Sequence, residues 1–205
     1  MAGTTATPQL NISIILRQGI LAFALLTGCG SMNTIPAPTS PTAVQQFLMT
    51  QAVDRSLYGE NTMIIPLAYG DAVSLDTIGL NPEKRFLKSA IGGWLGERGL
   101  KIVSESQNAR YRILILVQAL GTEQRGSLLG MPEVQGGLLP FALPEIALFK
   151  TQKQSGYTRF RLDIYETATG QFIRSTPWFQ GSTYFNEYTV LFFFDFEFTD
   201  LIAPF

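Results

Sequence analysis

Residues Tyr157 to Glu166, YTRFRLDIYE, alternate apolar and polar side chains without a break. Phe160, Leu162 and Ile164 fall on one side, and Arg159, Arg161, Asp163 and Tyr165 on the other. A period of two is the mark of a strand with one dry face and one wet face. The stretch TATGQ follows, with Gly170 suited to a turn, and QFIRST then supplies a returning strand, so the segment reads as a hairpin. A chain that contains it must build a sheet and cover one face of that sheet. Arg159, Arg161 and Asp163 read as solvated cross-strand neighbours rather than as a binding surface.

The rest of the chain supplies the cover and further strands. In SPTAVQQFLMTQAVDRSL, Ser40 is placed to cap a helix with Pro41 at its first position, and Val44, Phe47, Leu48 and Gln51 recur at helical spacing. In NPEKRFLKSAIGGWLGERG, Asn81 caps, Pro82 starts and Gly99 ends a second helix, whose Phe86, Leu87, Ile91, Trp94 and Leu95 form one apolar stripe. Gly92 and Gly93 each weaken that helix by about 1 kcal/mol relative to alanine, which predicts a neighbouring backbone close to them. TMIIPLAY reads as a strand placed at an edge or bulge by Pro66, and LKIVSESQ as another. YRILILVQALG is apolar on both faces from Ile113 to Val117, which predicts a central strand. TVLFFFDFEFTD reads as one terminal strand, with Val190, Phe192, Phe194, Phe196 and Phe198 on one face and Leu191, Phe193, Asp195 and Glu197 on the other. It is expected to bury its phenylalanines in the core against a helix layer, with a lipid-facing strand of a membrane barrel as the alternative. The predicted fold is α/β (α+β): a single mixed or antiparallel sheet of about five or six strands packed with two main helices.

One segment fits neither period. Gly126 to Phe149, GSLLGMPEVQGGLLPFALPEIALF, is long and apolar and is broken by Gly126, Gly130, Gly136, Gly137, Pro132, Pro140 and Pro144. It reads as a long insert, and two placements stand open. Buried, it is an arm over one sheet edge; exposed, it is a contact surface for a protein or a membrane. The candidate contact residues are Leu128, Leu129, Leu138, Leu139, Phe141 and Leu143. Its glycines have neither the spacing nor the following helix of a phosphate-binding loop.

Composition removes several function classes. The 205 residues include 15 Lys and Arg, 16 Asp and Glu, one Cys and no His, with 46% hydrophobic residues. A net charge of −1 leaves no footprint for a nucleic acid. Without histidine there is no Ser/His/Asp or Cys/His arrangement, and one thiol cannot build a thiolate zinc site. No catalytic residue, cofactor or metal ligand is expected, and Asp195 and Glu197 read as a solvated face rather than paired carboxylates.

The single cysteine closes the segment ILAFALLTGC. Arg17 precedes the apolar run Ile20 to Leu26, and small Thr27 and Gly28 follow, in the order of a secretory signal. The run is shorter than the roughly 20 apolar residues that span a bilayer. Leu26, Thr27, Gly28 and Cys29 resemble the lipobox of bacterial lipoproteins, which implies that Cys29 carries a diacylglycerol and becomes the mature N-terminus. The leader MAGTTATPQLNISIILRQG has one basic residue and is long, which fits a start codon further downstream. Gly30 after the cysteine implies, by the same resemblance, sorting to the outer membrane. Gly30 to Thr42, GSMNTIPAPTSPT, is a Pro/Ser/Thr-rich tether, and at about 3 Å per residue it reaches roughly 40 Å. The expected organisation is a signal peptide over 1–28, a lipidated N-terminus and tether over 29–42, and a single globular domain over 43–205.

From about Gln45 to Asp200, the order of helix, strand, capped helix ending in ERGLKIV, strand YRILILV, insert LPEIALFK, hairpin ETATGQFI and terminal TVLFFF resembles a family of uncharacterised bacterial lipoproteins. It is more distantly similar to the periplasmic domain of the curli-secretion-channel lipoprotein group, which serves envelope assembly and inserts β-hairpins into the outer membrane as an oligomer. The expected function is a lipid-anchored envelope protein, on the periplasmic face of the outer membrane, that binds or assembles an envelope protein partner. The alternative is an oligomeric pore that inserts Gly126–Phe149 and Tyr188–Asp200.

Overall fold

The computed structural model describes residues 41–59, 65–104, 108–131, 133 and 144–202. The elements are α1 (Ala43–Tyr58), β1 (Ala72–Ile78), α2 (Lys84–Glu97), β2 (Lys101–Ile102), β3 (Tyr111–Met131), β4 (Ile146–Glu166), β5 (Phe172–Ser175), β6 (Phe179–Val190) and β7 (Phe194–Thr199). The strands form one mixed sheet in the order β2-β1-β3-β4-β6-β7, with β5 also paired to β4. The fold is therefore α/β-like but rich in strand, and the sheet curls into a half-barrel.

The predicted hairpin is present: β4 pairs antiparallel with β5, and Asp163 lies opposite Ser175. The Tyr111 strand is central, parallel to β1 on one side and antiparallel to β4 on the other. Its inner side chains Ile113, Ile115 and Val117 join Phe160, Leu162 and Ile164 of β4 and Val73 and Leu75 of β1 beneath the helices. From α2, Leu87, Ile91, Trp94 and Leu95 pack down onto them, as the stripe predicts. Burying such side chains contributes about 1.5–3 kcal/mol each, the largest favourable term in the fold. Trp94 sits at the centre: its indole N–H donates to the Leu57 carbonyl at 2.9 Å and its ring meets Phe179 edge-on, so α1, α2 and β6 are locked at one point.

Several expectations change. The first helix is capped by Thr42, not Ser40, which lies outside the described residues; the Thr42 hydroxyl accepts from the Gln45 N–H while the Gln45 side chain accepts from the Thr42 N–H. The residues it buries are Gln45, Leu48, Met49, Ala52, Val53 and Leu57, a stripe offset from the predicted one. Around Pro66 there is no strand from 65 to 69, because the strand sits at Ala72–Ile78; Ile65 and Leu67 pack against the core as irregular chain. The LKIVSESQ strand shortens to Lys101–Ile102. Asn81 does not cap α2 directly. Its side chain instead accepts from the Glu83 N–H at 2.6 Å and donates to the Leu120 carbonyl, pinning the approach to the helix onto β3.

Gly92 and Gly93 meet no neighbouring backbone. A Cβ on Gly92 would touch only the Leu75 side chain at 3.5 Å, and one on Gly93 would meet nothing. The close approach is elsewhere, where α1 lies on the sheet. A Cβ on Gly156 would sit 2.5 Å from the Leu48 carbonyl oxygen, and one on Gly181 would overlap the Ala52 carbonyl oxygen. Between them, the Thr183 hydroxyl donates to the Leu48 carbonyl at 2.8 Å.

Candidate functional site

The terminal segment and the described ends of Gly126–Phe149 belong to a single arm. β3 and β4 are each 21 residues long and pair along their whole length, with register shifts at Val117/Ala119 and Leu129/Gly130. At about 3.4 Å per residue such a strand runs about 70 Å. Gly126–Met131 and Ile146–Phe149 are therefore strand rather than insert loop. Gly130 has φ +149° at the second shift, where a Cβ would collide with the Ile146 carbonyl. The glycine that looked like a loop breaker marks a β-bulge.

The terminal segment is likewise two strands instead of one. β6 ends at Val190, the chain reverses through Leu191–Phe193, and β7 returns antiparallel with Val190 opposite Phe194. Leu191 and Phe192 occupy left-handed backbone conformations, with φ of 50° and 56°. Each costs roughly 1–2 kcal/mol for a residue with a Cβ, and tight hairpin turns of this kind ordinarily use Asn and Gly. A strained turn carrying large apolar side chains in their place points to a role at the tip.

Cross-strand register assigns the faces. Gly156, Gly181 and Thr183 touch α1, so side chains in phase with them face the helices. On the opposite face, Leu129, Phe149, Val190 and Phe194 form one row, and Ser127, Thr151, Tyr188 and Phe196 the next. Arg125, Lys153, Asn186 and Phe198 form a third row toward the core. Tyr188 stacks on Phe196 at 5.5 Å and meets Phe198 edge-on, while Phe193 lies against Phe194 at 4.3 Å. Tyr188 is half-buried, whereas the phenylalanines are exposed: Phe192 by 56%, Phe193 by 62% and Phe194 by 55%. Buried core aromatics such as Phe160 are at 0%, so the terminal phenylalanines do not pack in the core as expected: their hairpin extends past the helices, and the tip is a surface. An apolar patch of this kind, ending in charged residues, is the pattern of a contact site.

The helix-side face of the arm is mainly polar, with Leu128 and Phe185 as apolar members. Gln152, Glu187 and Glu197 share one row, and Lys150, Thr189 and Asp195 the next, around a cleft of about 220 Å³. Glu187 and Glu197 lie directly opposite each other, an unfavourable pairing that only a wet surface tolerates. A second cleft of about 550 Å³ lies between Leu80, Asn81, Gln118 and Tyr157. It holds no nucleophile paired with a base. Among the described residues there is no cluster of Cys, Asp and Glu that could hold a metal ion.

Arg159 and Arg161 lie on the open face of the sheet, each about 5 Å from the Trp178 ring centre at 5.1 and 5.2 Å. Arg161 pairs with Asp163 at 3.1 Å, and the Ser175 hydroxyl donates to the same carboxylate, so these residues serve one another.

Of the predicted contact residues, Leu129 lies on the apolar face of the arm and is exposed, whereas Leu128 points to the polar face opposite Lys150 and is half-buried. Leu138, Leu139, Phe141 and Leu143 lie outside the described residues, as do Leu26, Thr27, Gly28 and Cys29. Sequence reasoning missed Phe149, Tyr188 and the turn Leu191–Phe193. The signal for the turn was absent, since neither glycine nor asparagine marks it.

No family model and no curated protein matches the chain. Among solved structures, the chain is similar to a neuraminyllactose-binding hemagglutinin homolog from Helicobacter pylori, with 10% identity, a TM-score of 0.23, and coverage of 55% of this chain and 67% of that one.

Proposed function

We propose that the protein is a lipid-anchored lipoprotein of the bacterial cell envelope whose folded part is a non-catalytic binding or assembly module. Its address is the acylated Cys29, on the periplasmic face of the outer membrane, and its working surface is the end of the β-arm. One observation carries the second half of this reading: two hairpins, β3–β4 and β6–β7, together hold an exposed aromatic face away from the core. The envelope supplies both kinds of partner that such a face suits, a protein and a bilayer. Two acyl chains, at about 0.8 kcal/mol per buried methylene, hold a protein on a membrane stably, where one chain does so only marginally.

Labelling cells with a radioactive fatty acid tests the anchor. Wild type takes up label and Cys29→Ala does not; equal labelling of the two refutes the anchor and the localisation with it.

A second reading, an oligomeric pore, draws on one feature of the arm. β3, β4, β6 and β7 run up and down in alternation, and toward the tip their outer face is richer in apolar and aromatic side chains than the helix-side face, as in strands of a membrane barrel. Beyond Leu116 the outer edge of β3 is unpaired among the described strands, and so is the outer edge of β7. Cutting the tether after Thr42 distinguishes the two. A pore subunit stays in the membrane as an oligomer, whereas a tethered module is released as a monomer.

A further inference from the structure

We infer that the tip of the β-arm contacts the lipid bilayer itself, entering the interfacial layer of the same leaflet that holds the N-terminal acyl chains. This rests on the anchored reading above for the identity of that leaflet, while the contact follows from the geometry of the folded part.

The chain outside the described residues enters at the right end. Gln45, in the first turn of α1, donates to the Gln124 side chain, and from there α1 runs back over Gly156 and Gly181 toward Leu57 at the core. The N-terminus of α1 therefore points along the arm toward the tip. Gln124 and Met131 are seven residues apart on β3, so the helix start is about 24 Å from the outermost described apolar pair. The segment from Cys29 to Thr42 can extend roughly 40 Å, which brings an anchored tip to the membrane without strain.

The tip is graded as an interface requires. The exposed pair Met131 and Ile146 leads, with the turn Leu191–Phe193 level with Ala147 just behind it; the row of Leu129, Phe149, Val190 and Phe194 follows, and Tyr188 with Phe196 comes next. Arg125 and Lys153 close the apolar face one row further in. Basic side chains at that level match lipid phosphates, and Tyr188 sits where an amphipathic ring is favoured. On β3, from Met131 to Arg125 is six residues, about 20 Å, short of the roughly 25 Å band of a spanning strand, so this face suits entry into one leaflet rather than a full crossing. The partner that fits is a headgroup layer over acyl chains, met by the end of the sheet.

A photoreactive benzoyl-phenylalanine placed at Phe193 of the full chain reads the contact directly, in cells whose phospholipids carry radioactive phosphate. A second probe at Phe149 covers the neighbouring strand, and one at Tyr69, outside the arm, serves as the control. The expected result is a light-dependent gain of labelled phospholipid at Phe193 and Phe149 and none at Tyr69. Adducts to protein alone, or no adduct at either arm position, overturn the inference. The diacylglycerol on Cys29 carries no phosphate, so the anchor is scored separately with labelled fatty acid in the same preparation. An acylated Cys29 without a phospholipid adduct sinks the tip contact and spares the anchor; an adduct on an unacylated chain does the reverse.

Discussion

Glycines show how one residue type takes opposite roles in this fold. Gly156 and Gly181 let the backbone of α1 settle onto β4 and β6 at the Leu48 and Ala52 carbonyls. Adding a methyl group at either position drives the helix off the sheet, so Gly156→Ala and Gly181→Ala each destabilise by about 2 kcal/mol, the range of core overpacking. Gly93 faces open space inside α2, and Gly93→Ala stabilises by up to about 1 kcal/mol through helix propensity. Urea unfolding midpoints check both signs. The amino-acid sequence predicts close approach at Gly92 and Gly93 because a glycine inside a helix is costly and invites a reason. It does not reveal Gly156 and Gly181, because their partner is a helix more than 100 residues away in the chain. The two candidate contacts that fall within the described residues part for a similar reason. Leu128 and Leu129 are neighbours in a strand, and pleating sends them to opposite faces, a choice fixed only by the register with β4.

The β6–β7 hairpin holds its turn against local backbone preference. Replacing Leu191→Asn and Phe192→Gly together relieves two left-handed residues, which raises stability by about 2 kcal/mol. The same pair of changes removes two apolar groups from the tip and weakens membrane contact, so stability and contact move in opposite directions. At the start of α1, Thr42→Ala removes the cap and costs about 1 kcal/mol. Tyr58 donates to Glu97 at 2.8 Å, and this bond, with slight desolvation and the nearby Glu97 charge, holds the phenol above its ordinary pKa although the side chain is exposed. Because the folded state raises that pKa, the contribution is complete below the unfolded value of about 10 and is lost as pH rises past the folded one. Tyr58→Phe therefore flattens the fall of stability at alkaline pH, measured by urea unfolding across that range. Elements with a strong period were legible: α2, the central strand and the β4–β5 hairpin follow directly from their side-chain patterns. The terminal hairpin was not, because its turn is built from Leu191, Phe192 and Phe193 and continues the alternation of the strands on either side. The far half of the β3–β4 arm was hidden by Gly126 and Gly130, residues that break a strand in most settings and permit a bulge in this one.

At the scale of the whole molecule, the fold separates a buried end from a working end. The core gathers under α1 and α2, and the sheet continues past it as an arm whose last rows are aromatic. The segment after β7 ties that arm back: Asp200 pairs with Arg55, and Gln51 exchanges hydrogen bonds with the Ile202 backbone. Cutting these ties with Arg55→Ala loosens β7 and speeds amide exchange along Phe194–Thr199 while α2 stays protected, a contrast that hydrogen exchange resolves. Among the described residues no helix is long and apolar enough to cross a membrane. The proposed anchor is Cys29, and the intact mass of the mature protein purified from membranes tests it most directly. The proposed anchor predicts a chain that begins at Cys29 and carries the added mass of a diacylglycerol. A mature chain that retains the residues before Cys29, or one that begins elsewhere and bears no lipid, contradicts it.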